Sequence, residues 1–182
     1  MHKKLPEICF RRSFPLYLAA MVLLVPGPWL ASAWFAALFH ELFHLGALLF
    51  LGHPARKIIL SASGAEIVTE QMQPLHEWIC VLAGPLGGLS LLLFAKHWPM
   101  VAVCAAVHSL YNLLPIYPAD GGRALRCGLA LLGFDDRIGD YVEIITAALL
   151  LALCVWIFLH SELGLIPLAC GIWMAIPAVR KK

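Results

Sequence analysis

The sequence predicts an all-α polytopic membrane protein with about six transmembrane helices and one small membrane-reentrant β-hairpin. Three observations carry that prediction. Hydrophobic residues make up 62% of the chain and charged residues only 13%, where a soluble domain carries about 25% charged. Mean hydropathy is +0.85. The apolar residues gather into six runs, several near the ~20 residues that a bilayer-spanning helix needs. A net charge of +2 is too small to attract nucleic acid. The partner that the composition implies is the lipid bilayer.

The first run, Phe14–Val25, is cut off by Pro26-Gly27-Pro28 and amounts to about 16 Å of helix. It crosses only if the bilayer thins or Arg11 and Arg12 snorkel to the interface. The basic start, this run and Ala31-Ser32-Ala33 also resemble a secretory signal. Cleavage there would leave the next helix too short to span, so the segment is expected to be retained. Trp29–Leu51 is the second span. The polar stretch Gly52–Glu77 holds two short β-prone arms meeting at Ser63-Gly64, which predicts a hairpin over Lys57–Glu70. Its open edge is tolerable at membrane depth only beside protein or a watery cavity. Ser61, Ser63 and Gly64 are its candidate substrate contacts.

Trp78–Phe94 is the third span, with Ala83-Gly84-Pro85 and Gly87-Gly88 at the small-residue spacing that lets backbones approach closely. The fourth, Pro99–Leu114, is broken by Pro115 and Pro118 before Asp120-Gly121-Gly122, and broken helix at membrane depth suits a cavity-lining site. Asp135, Asp136, Arg137 and Asp140 read as a solvated loop. Tyr141–Leu159 and Leu163–Val179 complete the set.

Positive charge orients these spans. With the N-terminus cytoplasmic, every Lys and Arg except Lys96 falls in an inner segment, and both termini face the cytoplasm. The polar connections are too short for an appended soluble domain, so residues 1–182 are expected to form a single domain. The six cysteines form no Cys-x-x-Cys pair and read as packing residues.

One segment carries chemistry. His40 and His44 stand one helical turn apart in His40-Glu41-Leu42-Phe43-His44, so both imidazoles share a face on which they can bind one metal ion, with Glu41 beside them to handle a proton. The flanks are apolar, and a charge inside a membrane helix costs about 2.5–3.5 kcal/mol on insertion scales, which usually marks function. A catalytic zinc needs three protein ligands and one open position. Asp120 is the best third candidate, since the expected topology brings the second and fourth spans both toward the cytoplasmic half. Glu66 and Glu70 are loop carboxylates. The other histidines read as structural, except that His108, one turn before Asn112, can face the cavity.

His40-Glu41-x-x-His44, Ala83-Gly84-Pro85-Leu86-Gly87-Gly88 and Asn112-x-x-Pro115…Pro118-x-Asp120-Gly121-Gly122 together resemble the site-2 protease family of intramembrane metalloproteases. In order and spacing they look closest to its compact bacterial branch, which includes the sporulation-factor-processing protease. The resemblance covers most of the chain. It implies a three-helix core, Zn2+ held by His40, His44 and Asp120, Glu41 as general base, and Asn112 assisting at the scissile carbonyl. It also implies a reentrant hairpin that pairs with an extended membrane-protein substrate, in a bacterial cytoplasmic membrane. A sigma or anti-sigma factor is the substrate class expected on this basis. Ala119 departs from the leucine more usual before the aspartate. No PDZ or C-terminal regulatory domain is expected, which leaves regulation to a partner in trans. The competing class is a zinc-binding scaffold or transporter that hydrolyses nothing, against which the presence of Glu41 argues.

Overall fold

The computed structural model describes residues 6–62, 64–162, 165, 171 and 172. The chain forms two compact units, Met1–Leu110 and Tyr111–Lys182.

The first unit begins with a strand, β1 (Glu7–Phe10), and a short apolar helix, α1 (Ser13–Leu24). Helix α2 (Gly27–Phe50) follows, with Pro28 in its first turn, where the missing N–H costs nothing. The strands β2 (Lys57–Ser61) and β3 (Gly64–Val68) then form the hairpin predicted at this place. Helix α3 (Pro74–Ser90) again opens on proline and runs into a 3-10 turn, Leu91–Phe94. Helix α4 (Pro99–Asn112) begins in this unit, and its last two residues open the second.

The sheet has the order β1-β2-β3, with β2 antiparallel to β3 and parallel to β1. Strand β1 lies outside the predicted hairpin. It aligns Ile8 with Ile58 and Phe10 with Leu60, so its apolar residues share a face with those of β2. Arg11 bridges to Glu66 at 3.0 Å and Arg56 to Glu70, which gives both loop carboxylates a cation.

Helix α2 packs on α3 through one stripe. Its buried residues include Ala36, His40, His44 and Leu48, spaced four apart. Leu38, Leu42 and Leu49, on other faces, are exposed. In a lipid-facing helix the apolar majority points outward and the polar minority inward, which is the pattern here.

In the second unit, residues 113–119 turn through a series of short hydrogen bonds, among them Ile116 N–H to the Leu114 carbonyl at 2.8 Å and Ala119 N–H to the Ile116 carbonyl at 2.9 Å. Helix α5 (Asp120–Leu131) starts there, and α6 (Asp136–His160) follows a tight connection. The Asp135 carboxylate caps α6 by accepting from Arg137 N–H at 2.9 Å. Asp140 and Glu143 both bond to Arg126, which holds the guanidinium pKa above its ordinary value.

Among the described residues, three helices are long and apolar enough to cross a membrane: Gly27–Phe50, Pro74–Phe94 and Asp136–His160. The first and fourth expected spans are helices of 12 and 14 residues, about 18 and 21 Å long against a hydrocarbon core of about 30 Å. Proline sets both limits: Pro26 follows α1, and Pro115 disfavours helix at the residue before it. The sixth expected span, Leu163–Val179, lies outside the described residues apart from Leu165, Gly171 and Ile172.

Candidate metal centre

His40 and His44 are both buried, and their Nε2 atoms lie 3.0 Å apart. The Nδ1 of His44 is 2.7 Å from the carbonyl oxygen of Cys80 on α3. A carbonyl only accepts, so Nδ1 carries the proton and Nε2 keeps its lone pair on the side of His40. Zinc-binding histidines show the same arrangement, with one ring nitrogen tied to a backbone carbonyl and the other on the metal.

The glycines of α3 make room for these rings. A β-carbon at Gly84 would sit 2.1 Å from His44 Nε2, and one at Gly87 would sit 2.1 Å from the ring of Phe43. At Gly88 it would meet Ser109 Oγ at 2.2 Å and approach His40 Nδ1 to 3.8 Å. The small-residue stripe is therefore the floor on which the two histidines of α2 lie. His108 stands edge-on to His40, with ring centroids 4.8 Å apart.

Asp120 occupies the first turn of α5. Acidic side chains are common at this position, where the first N–H groups of a helix are free. The two glycines after it are needed for contact: β-carbons at Gly121 and Gly122 would fall 2.1 Å from the Leu113 carbonyl oxygen and 2.5 Å from the Ile116 carbonyl carbon. The 113–117 backbone thus lies directly against the start of α5. His40, His44 and Asp120 each offer one ligand atom, and these atoms all lie within 4.8 Å of one another. Two imidazoles and one carboxylate, with ligand atoms this close together, suit a divalent cation such as zinc. The group can hold a metal ion.

No protein-family model and no curated protein sequence matches the chain. Among solved structures it is similar to the Site-2 Protease from Methanocaldococcus jannaschii, with a TM-score of 0.66 over 98% of this chain and 92% of that one. The fold is that of a site-2 protease. At 19% sequence identity the likeness is one of fold.

On this site-2 protease fold the other candidate residues are placed as follows. Glu41 follows His40 directly on α2, and Asn112 is the last residue of α4. Ser61 ends β2, and its hydroxyl donates to the Gly64 carbonyl at 3.2 Å, closing the hairpin turn. Gly64 opens β3 with φ 116°, a backbone conformation that favours glycine. Ser63 lies outside the described residues.

Three features were not foreseen from the sequence. His53 and His76, read as isolated structural histidines, face each other with ring nitrogens 3.0 Å apart. Asp140, read as part of a solvated loop, binds Arg126 at 2.7 Å. Glu143 had a signal that could have found it: it is an acid in an apolar run, and it proves 2% exposed.

Proposed function

We propose that this chain is an intramembrane zinc endopeptidase of the site-2 protease family, which cleaves a transmembrane or membrane-associated protein. The single observation that carries this reading is the His40, His44 and Asp120 group on a site-2 protease fold. Zinc held by these residues supplies Lewis-acid activation of water and of the scissile carbonyl.

The chain's own residues divide the remaining work. The Cys80 carbonyl fixes the tautomer and orientation of His44. Glu41, one residue from His40, accepts a proton from the attacking water and delivers it to the leaving amine, a general acid–base contribution of about 10²–10⁴-fold. Asn112 donates to the oxyanion that develops on the scissile carbonyl, a contribution of about 3 kcal/mol.

The substrate enters as an extended strand, because a helix hides its amides. Strand addition to the β-hairpin reads backbone in preference to side chains, with Ser61, Ser63 and Gly64 as the candidate contacts. The finer expectations belong to this proposal too. They are six spans, both termini cytoplasmic, a bacterial cytoplasmic membrane, and the branch that processes sporulation factors, with a sigma or anti-sigma factor cut under control of a partner in trans.

The test is co-expression of the full chain with a candidate membrane substrate, comparing wild type with Glu41→Gln. Cleavage is expected to fall to background in the variant while zinc stays bound. Equal cleavage by both would remove the protease reading.

A further inference from the structure

We propose that Arg126 is a positioning residue for the metal centre: its fork onto Asp140 and Glu143 fixes the rotation of α5 and so the direction in which Asp120 presents its carboxylate. This inference rests on the reading of Asp120 as a metal ligand.

Helix α5 needs such a device. Its buried residues are Gly121, Gly122, Ala124 and Cys127, all small. None is a large knob that could key the helix against a neighbour. A helix with side chains has a radius of about 5–6 Å, so turning it about 20° carries a side-chain atom about 2 Å. That distance is as long as a zinc–carboxylate bond of about 2.0–2.2 Å. Small buried residues set contact distance more than rotation, and the larger Leu129 meets α6 at Gly139, where it offers no directional bond.

Arg126 supplies the missing constraint. Its Nε donates to Glu143 Oε1 at 3.0 Å, and its Nη2 lies 2.7 Å from Asp140 Oδ1 and 2.9 Å from Glu143 Oε1. Asp140 and Glu143 are three apart on α6 and therefore share a face. The planar guanidinium meets both in one orientation, as a lysine could not. Its stem lies over Gly139, where a β-carbon would stand 3.6 Å from Arg126 Cγ. Glu143 is 2% exposed, so its charge has little water to fall back on. Asp120 begins the same rigid helix, six residues and about 9 Å from Arg126.

Zinc affinity by chelator competition and the visible spectrum of the cobalt-loaded form, both on the purified full-length protein, test this. Arg126→Met with Glu143→Leu removes the guanidinium and the buried carboxylate together and leaves only the solvent-exposed Asp140 carboxylate, which water can hydrate. We expect zinc binding to weaken about 10–100-fold, the range for outer partners of metal ligands. The cobalt spectrum should change and kcat should fall while KM holds, a pattern that a merely structural role would not produce. Arg126→Lys keeps the charge and loses the fork, and is expected to weaken zinc binding less. Wild-type affinity and spectrum in either variant overturn the proposal. A wild-type protein that binds no zinc would instead remove the functional reading beneath it.

Discussion

Helices α2 and α6 both bury ionisable residues in an apolar span, and they differ in what meets those residues. On α2, two imidazoles converge with the Asp120 carboxylate around one point, and a backbone carbonyl fixes the tautomer of His44. On α6, Glu143 meets the guanidinium of Arg126 and forms an ion pair within the fold. The sequence signal is the same in both places: a costly residue where hydrocarbon is expected. The chemistry of the partner separates a metal site from a structural lock. Lone pairs converging with a carboxylate suit a cation, whereas an acid on an arginine is already neutralised.

The comparison breaks most directly at Gly84. A β-carbon there collides with a ring already fixed by its hydrogen bond to Cys80, so Gly84→Ala must displace His44. We expect zinc affinity to fall by more than about 10-fold, beyond the lower end of the range for lost outer-partner support. Metal titration checks this, and wild-type affinity would mean that the glycine floor is incidental. On α6 the single change Arg126→Met leaves a buried carboxylate behind and should cost about 3–5 kcal/mol. Adding Glu143→Leu should recover most of that loss, as thermal unfolding in detergent would report. The smallest effect is expected at the sheet. Arg11 and Glu66 are 59% and 58% exposed, so Arg11→Ala should change stability by no more than about 1 kcal/mol.

Much of the candidate site is legible in the sequence. His40, Glu41 and His44 announce themselves by spacing within one helix, and the Pro115 to Gly122 stretch by its breakers. The hairpin was legible for a similar local reason, since β2 and β3 are neighbours along the chain. Strand β1 was not, because four residues near the N-terminus pair with a segment about 50 positions away and carry no period of their own. Helix α5 was missed because its 12 residues carry Arg123 and Arg126 and are too short and too polar to stand out as an apolar span. The role of Gly84 was also out of reach, since small-residue spacing says that something approaches and does not say what. Asp140 looked solvated, because sequence separates it from Arg126 by a turn that the fold closes.

The most direct test of the central claim is the zinc content of the purified full-length protein, measured for wild type, His44→Ala and Asp120→Ala. About one zinc per wild-type chain is expected, and substantially none in either variant, since three protein ligands hold a catalytic zinc. Full zinc occupancy in Asp120→Ala, or none in wild type, would contradict it.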